Sequence, residues 1–158
     1  MLITKIKLDK KNNMPEIHYN VSNREFSKET KLIGTEEPRQ EFIDAFRNMD
    51  RHLVTVLPFL KGLEDVITVT GLSITYDDDS NDLMGMVITA QLAIEGLNAP
   101  MNINTPFITF FGYEIQKDNS CVSVTFSERC KVDLEKIFDY AENYMNGDTA
   151  MKQLRLVS

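Results

Sequence analysis

Residues 67–94 contain two runs of alternating apolar side chains, one on each side of a short acidic segment. The first run changes phase at Gly71, and a glycine at such a change indicates a β-bulge. The second run keeps the alternation throughout. These patterns predict an antiparallel hairpin with the acidic segment at its tip. The apolar positions are Ile67, Val69, Leu72, Ile74 and Tyr76 in the first run, and Met86, Ile88, Ala90, Leu92 and Ile94 in the second.

Alternating residues at the N-terminus predict a three-stranded antiparallel meander. The first strand covers residues 2–8, a turn follows at residues 10–13, and further strands lie near residues 16–21 and 30–33. In the first strand, Leu2, Thr4, Ile6 and Leu8 are expected on one face, and Ile3, Lys5 and Lys7 on the other. In the second strand, Ile17, Tyr19 and Val21 are expected to face inward, and Glu16, His18 and Asn20 outward.

Two amphipathic helices are predicted to cover this sheet. The first begins at residues 35–38, which supply a capping hydroxyl, acidic residues and a proline, and it ends before Pro58. The second ends at Asn146 and Gly147, which are typical of a helix stop. The apolar stripes are Phe42, Ala45, Phe46, Met49 and Leu53 in the first helix, and Leu134, Ile137, Phe138, Ala141, Tyr144 and Met145 in the second.

The chain of 158 residues is expected to form a single α+β domain. In this domain, residues 1–147 pack an antiparallel sheet against two amphipathic helices, and residues 148–158 form a C-terminal tail. Residues 97–106 are predicted to be a loop because they contain two prolines and three asparagines. Two further strands are expected within residues 107–113 and 122–126.

The charge distribution favours a basic protein partner over nucleic acid. The formal net charge is −7, with 11 basic and 9 acidic residues (+2) in residues 1–61 and 6 basic and 15 acidic residues (−9) in residues 62–158. Residues 62–116 carry eight carboxylates and no Lys, Arg or His. Such a surface repels phosphate, so direct binding of DNA or RNA is disfavoured.

The candidate partner-binding cluster at the predicted hairpin tip consists of Asp77, Asp78, Asp79 and Asp82. The segment begins with the ligand spacing of an EF-hand loop, but Asp82 stands where that loop needs glycine and Ile88 where it needs glutamate. We therefore predict no metal site. A solvated tip that keeps the hairpin soluble is the simpler interpretation. The alternative is a row of carboxylates that occupies a basic groove as phosphate does.

No catalytic residue and no cofactor are predicted. His18 and His52 are the two histidines, and both are expected at the surface without a partner. Cys121 and Cys130 lack metal-binding or redox spacing, so they are interpreted as inert, partly buried thiols. The sequence contains no nucleophile elbow, glycine-rich phosphate loop or Cys/His metal set.

Four lysines near the N-terminus allow two interpretations. They are Lys5, Lys7, Lys10 and Lys11. They could form an edge that contacts phosphate, or they could protect an exposed edge strand from aggregation. We prefer the second interpretation, which places the first strand at an edge of the sheet.

The tail contains a second candidate partner-binding segment, formed by Gln153, Leu154 and Leu156. These residues resemble the Gln-Leu-x-Leu-Phe peptides by which bacterial proteins dock on the DNA sliding clamp. Val157 stands in place of the aromatic residue, which weakens burial in a hydrophobic pocket. A final strand, or a tail that packs its leucines on its own domain, is the simpler alternative.

Several segments together resemble a group of uncharacterised small acidic proteins encoded by bacteriophages and prophages. They are the lysine-rich opening at residues 3–8, the strand at residues 69–76, the Asn/Pro segment at residues 100–106, and the acidic last helix with its Gln-containing tail. The resemblance implies a small cytosolic protein of an infected bacterial cell, often encoded near genes for DNA handling. It implies no activity and no catalytic residues.

The expected function is that of a non-enzymatic phage or mobile-element protein in the cytoplasm of the host bacterium. It would bind, and inhibit by occlusion, a basic nucleic-acid-handling or immune-effector protein. One alternative is an accessory factor of phage DNA replication or recombination that docks on a sliding clamp through its tail. A second is a small-molecule-binding or enzymatic domain with a dispersed site. No apolar run approaches the ~20 residues of a membrane span, so no membrane partner is expected.

Overall fold

Within the described residues, the predicted hairpin and meander join into one antiparallel sheet of seven strands. The computed structural model describes residues 1–22, 25–112 and 124–150. The strands are β1 (Leu2–Leu8), β2 (Pro15–Ser22), β3 (Ser27–Ile33), β4 (Ile67–Tyr76), β5 (Leu83–Leu92), β6 (Met101–Asn104) and β7 (Ile108–Thr109). They lie in the order β3-β2-β1-β4-β5-β6, and β7 also pairs with β5.

In the part of the chain that the structure describes, three helices pack with this sheet into an α+β domain, which confirms the predicted fold class. They are α1 (Gln40–Arg47), α2 (Asp50–Val56) and α3 (Glu128–Met145), and two short 3-10 turns, Pro58–Leu60 and Glu64–Val66, lead into β4. The first helix contacts α3, and both α1 and α2 contact β4. Within the described residues, none of the helices has the length and hydrophobicity that a membrane crossing requires.

The first helical segment differs from its prediction at its start and in its middle. The helix α1 begins at Gln40 rather than near Thr35, because residues 36–38 are bonded to the end of α3 and to the residues that follow it. A turn at residues 48–49 then separates α1 from α2. The predicted apolar stripe continues across this turn, since its buried members are Phe42, Phe46, Met49 and Leu53.

The described strands contain three register shifts, one of them between Thr75 and Tyr76 at the end of β4. The other two are β-bulges that change which side chains reach the core. One lies between Val69 and Gly71 in β4, where the sequence predicted it. The other lies between Ile3 and Lys5 in β1, where no glycine marks it. This bulge turns Ile3 into the core together with Ile6 and Leu8, so the prediction that Ile3 lies on the face opposite these two residues is wrong. Val21, near the end of β2, is exposed although it was predicted to face inward.

Two further expectations about the sheet are wrong. Residues 101–104 were predicted to lie in a loop, but they form β6 because they pair with residues 89–92 of β5. The asparagines of this strand are exposed, and an edge strand tolerates them there. The strand β1 lies between β2 and β4, so Lys5 and Lys7 belong to a central strand and do not protect an edge.

The segment after β6 forms less regular structure than predicted. Of the strand expected within residues 107–113, only the two-residue β7 is a strand among the described residues. Phe110 then forms a parallel bridge with Phe126. Residues 113–123 lie outside the described part of the chain, and with them the first two residues of the strand expected at residues 122–126. The described residues 124–126 form only the bridge at Phe126, not a strand.

Gly85 in β5 occupies a position that leaves no room for a side chain. A Cβ atom there would lie 2.5 Å from the carbonyl oxygen of Ile108 and 2.7 Å from the ring of Phe107. We therefore expect Gly85→Ala to separate β7 from β5 and to lower the free energy of unfolding by about 2 kcal/mol. Gly71→Ala is the control, because its nearest neighbour would be 3.6 Å away. Denaturant unfolding compares the two variants, and equal stabilities would contradict the expectation.

Candidate functional site

The acidic segment connects β4 to β5 and forms the tip of the hairpin, as predicted. Main-chain hydrogen bonds close the loop: the N–H of Asp77 donates to the carbonyl oxygen of Asp82 (2.8 Å), and the N–H of Asn81 donates to that of Asp77 (2.9 Å). Asn81 has a φ of 57°, a left-handed conformation that asparagine tolerates. The loop therefore holds its shape through its own backbone.

The four candidate carboxylates do not share one environment. Asp77 is partly buried, and its Oδ1 accepts hydrogen bonds from the N–H groups of Asp79 (2.9 Å) and Ser80 (3.2 Å). Asp78, Asp79 and Asp82 are exposed, and we call these three the acidic tip. Among the described residues, no group of three or more His, Cys, Asp and Glu side chains is placed to hold a metal ion. Asp77 thus shapes the loop that presents the other three.

An exposed aromatic side chain lies beside the acidic tip. The pairing of β7 with Gly85 and Met86 of β5 brings the residues after β7 alongside the base of the loop. Phe111 is 66% exposed there. A surface depression of about 400 Å³ is lined by Asp82, Leu83, Phe110, Phe111, Gly112 and Lys131. Sequence analysis missed Phe111, because an aromatic residue within a predicted strand gives no sign of exposure.

A second cluster of polar and charged side chains lies between α2 and α3, with His52 and Asp133 buried and two arginines at the surface. His52 Nε2 donates to Asp133 Oδ2 (2.7 Å), and the same oxygen accepts from Arg51 Nη2 (2.7 Å). On the other side of the carboxylate, Arg129 Nε lies 3.3 Å from Asp133 Oδ1. The expectation of a surface His52 without a partner is therefore wrong.

The helical spacing of His52 indicates that its side chain is buried, and this indication was missed. His52 follows Met49 by three residues and precedes Val56 by four, so all three lie on one face of the helical segment. Met49 and Val56 are both buried. A histidine on such a face needs a hydrogen-bond partner, and that partner lies 81 residues away on α3, beyond the reach of local sequence patterns.

The electrostatics of this cluster suit a structural role. Burial alone would raise the pKa of Asp133, but the hydrogen bond from His52 and the charge of Arg51 hold that pKa below its ordinary value. In the first turn of α3, burial raises the pKa of the Cys130 thiol to about 12. Such a thiol stays protonated and unreactive near neutral pH. Asp133 therefore joins α2 to α3, and Cys130 fills space in the core.

The open face of the sheet carries the N-terminal lysines. A groove of about 770 Å³ on this face includes Lys5, Lys7 and Lys10. Glu16, also in the groove, contacts His18 Nε2 (3.0 Å), Lys31 Nζ (3.1 Å) and Lys7 Nζ (3.7 Å). The hydrogen bond with His18 and the charges of the two lysines lower the pKa of Glu16 to about 2. Because Glu16 offsets part of the lysine charge, this face does not form a strongly basic patch.

The second candidate segment, Gln153, Leu154 and Leu156, lies outside the described residues, as does Cys121. The chain is anchored shortly before that segment. Thr149 is buried, and the N–H of Ala150 donates to the carbonyl oxygen of Glu37 (3.1 Å). The last described residue, Ala150, is therefore fixed on the domain, and Gln153 lies three positions after it in the sequence.

No protein-family model matches the chain, and the searches of curated proteins and of solved structures found no match either. The acidic tip with its aromatic neighbour, and the buried cluster around Asp133, are therefore the basis for a functional assignment. The first is exposed, whereas in the second the carboxylate of Asp133 is buried and already bonded to side chains of the chain itself.

Asp133→Asn should destabilise the fold in a pH-dependent way. The substitution removes the negative charge that accepts bonds from His52 and Arg51, so we expect a loss of about 2 kcal/mol in the free energy of unfolding near neutral pH. The pKa of Asp133 is lowered from 3.8 on folding. Its contribution is therefore present above that pH and is lost as the pH falls through the folded-state pKa.

Denaturant titrations of Asp133→Asn and of the unmodified chain, near neutral pH and near pH ~3, measure this effect. The stability difference between the two chains should shrink at the lower pH. Asp139→Asn is the control, because Asp139 is an exposed carboxylate on the same helix. A difference of the same size at both pH values would show that the charge of Asp133 contributes nothing.

Proposed function

We propose that the protein is a non-enzymatic interaction protein that binds a basic protein partner through its acidic tip, with Phe111 as an apolar anchor. The observation that carries this proposal is the exposed ring of Phe111, which lines the same surface depression as Asp82 of the tip. Protein interfaces commonly combine an aromatic side chain that becomes buried with a rim of charged groups. The ring supplies buried apolar area, and the charges speed association and select the partner.

The hairpin that carries the acidic tip is held by many hydrogen bonds, and this favours a role in binding. The strands β4 and β5 are paired from Ile67 and Leu92 at one end to Tyr76 and Leu83 at the other. The loop between them is closed by main-chain bonds and by the side chain of Asp77. A preorganised loop of this kind loses little conformational entropy when it binds.

The class of partner follows from the charge of this surface. In the described part of residues 62–116 there is no basic side chain to neutralise the tip from within the same segment. A groove that binds nucleic-acid phosphates presents the complementary charge. We therefore propose a nucleic-acid-handling or immune-effector protein as the partner, and occlusion of its groove as the consequence. Such a role fits the phage group that the sequence resembles.

Asp78→Asn, Asp79→Asn and Asp82→Asn together should weaken binding to a basic partner without unfolding the hairpin. The variant keeps Asp77, which shapes the loop. We expect at least a tenfold loss of affinity at low ionic strength, and a flatter salt dependence, because three long-range attractions are removed. Binding to a panel of purified nucleases and DNA-binding proteins, measured at rising salt concentration, gives both quantities.

The matched control neutralises three exposed carboxylates at the other end of the same hairpin. It consists of Glu64→Gln, Asp65→Asn and Glu95→Gln, residues that flank the start of β4 and the end of β5. This control has the same change in net charge and should keep its affinity. Phe111→Ala should weaken binding without changing the salt dependence. If the tip variant and the control bind equally well, the acidic tip is not the binding site.

A second candidate function is docking on a DNA sliding clamp through the tail. The observation that favours it is the anchoring of the chain at Thr149 and Ala150, next to the clamp-like segment that begins at Gln153. A short peptide gains local concentration at a partner when it is tethered close to a folded domain. The protein would then be an accessory factor of replication or recombination.

Leu154→Ala and Leu156→Ala together should abolish binding of the full chain to a purified bacterial sliding clamp. The two leucines supply most of the apolar area that a clamp pocket can bury, at about 2 kcal/mol for each side chain. Arg155→Ala, between them in the sequence, is the control and should bind as the unmodified chain does. Clamp binding by the double leucine variant, or no binding by the unmodified chain, would rule out this function.

A further inference from the structure

The strand β3 is an outer edge of the sheet. It pairs with β2 on one side, and among the described residues no strand pairs with its other side. Most of its side chains are exposed, including Glu29, Lys31 and Ile33, and Ile33 is 65% exposed. At seven residues, β3 is long enough to act as a template for another strand.

The pairing of β3 with β2 shows which of its main-chain groups point outward. In this register Ile33 lies opposite Glu16, so Gly34 lies opposite Pro15, and the N–H of Gly34 donates to the carbonyl oxygen of Pro15 (2.8 Å). Hydrogen-bonded and non-bonded pairs alternate along antiparallel strands. The residues whose N–H and C=O groups face β2 are therefore Lys28, Thr30 and Leu32, and those whose groups face the open edge are Ser27, Glu29, Lys31 and Ile33.

The neighbouring ladder supports this assignment. The N–H of Asp9 donates to the carbonyl oxygen of Met14 (3.1 Å), so the even-numbered residue Met14 directs its main-chain groups toward the β1 side. By the same alternation, the odd-numbered residues of β2, such as Ile17 and Tyr19, direct theirs toward β3. Ile17 lies opposite Leu32 and Tyr19 opposite Thr30, which agrees with the groups assigned above.

We propose that β3 pairs in antiparallel fashion with β3 of a second copy of the chain, about a two-fold axis that passes by Thr30. In this arrangement Ser27 lies opposite Ile33 of the second copy, and Glu29 lies opposite Lys31 of the second copy. The two-fold symmetry repeats both pairs. All of these residues direct their N–H and C=O groups to the open edge, so each pair can exchange two main-chain hydrogen bonds. The two sheets then form one continuous sheet.

Charge complementarity selects this register. With the axis at Thr30, Glu29 and Lys31 form two symmetric pairs of opposite charge on the same face of the joined sheet. Moving the axis to Glu29 would place Glu29 opposite itself, and moving it to Lys31 would place Lys31 opposite itself. Both shifts bring like charges directly opposite each other, which is destabilising. Lysines usually protect an edge strand from pairing, but here each lysine meets a glutamate of the second copy.

Lys31 has room to take part in this contact. Its Nζ atom lies 3.1 Å from Glu16 Oε1, and its side chain is half exposed. Glu16 retains contacts with His18 and Lys7 if Lys31 turns toward the second copy. Within the described residues Glu29 forms no ion pair that it would have to give up, and its side chain is exposed. The pairing uses neither the acidic tip nor the tail, so it goes beyond the proposed function.

A charge-swap experiment tests the pairing by analytical ultracentrifugation of the full chain. E29K places a lysine opposite Lys31, and K31E places a glutamate opposite Glu29. For each variant alone, the dissociation constant of the dimer should rise about tenfold or more above that of the unmodified chain, because two attractive pairs become repulsive. An equimolar mixture of E29K and K31E should recover the dimer, since both pairs are then of opposite charge.

K28E is the matched control, because Lys28 is an exposed lysine of the same strand that lies opposite an uncharged residue, Leu32 of the second copy. It should leave the dimer intact. Thermal unfolding of each variant separates loss of pairing from loss of the fold, and E29K leaves the contact between Lys31 and Glu16 untouched. An unmodified chain that stays monomeric at high concentration would overturn the proposal. A dimer that is equally stable in E29K and K31E would also overturn it.

Discussion

The pairing of β4 with β5 is the interaction on which the rest of the structure depends. The strand β4 has β1 on its other side and carries α1 and α2 on its core face, so each part of the fold is built on this pair. The buried residues of both strands alternate with solvated ones, and a slip by one residue would exchange the two sets. Burial also constrains the loop of the hairpin. The carboxylates of Asp78, Asp79 and Asp82 lie at its exposed end because a carboxylate without a partner cannot be buried.

The carboxylates of this molecule have two different roles, and the degree of burial distinguishes the structural ones from those that are free to contact a partner. Asp133 is 8% exposed and is surrounded by three donor side chains, which satisfy its carboxylate and leave it little free surface. Asp78 and Asp79 are exposed and lie on a loop whose shape is already fixed by its backbone and by Asp77. A buried and satisfied charge contributes to the contact between helices, whereas an exposed and preorganised charge is available to a partner.

Local patterns in the sequence predicted the elements of the fold better than its long-range contacts. Alternation predicted β1, β2, β4 and β5, and helical spacing with the stop at Asn146 and Gly147 predicted α3. The bulge near Ile3 was missed because no glycine marks it, and β6 was missed because asparagines and prolines suggested a loop. At the candidate site, the acidic loop was predicted from local sequence. The exposure of Phe111 and the pairing of His52 depend on residues distant in the chain, which one sequence does not reveal.

Among the described strands, the sheet has two open edges that lie at different distances from the acidic tip. The distance decides which edge can pair with another strand without blocking the tip. The strands β6 and β7 both lie beside β5, so a strand added there would crowd Phe111 and Asp82. The strand β3 is three strand spacings from β4, each of about 4.8 Å. A two-fold axis at Thr30 reverses the direction of the strands, so the two acidic tips would point in opposite directions, far from each other. Such a dimer keeps both tips free, avoids repulsion between them, and can engage two partner molecules at once.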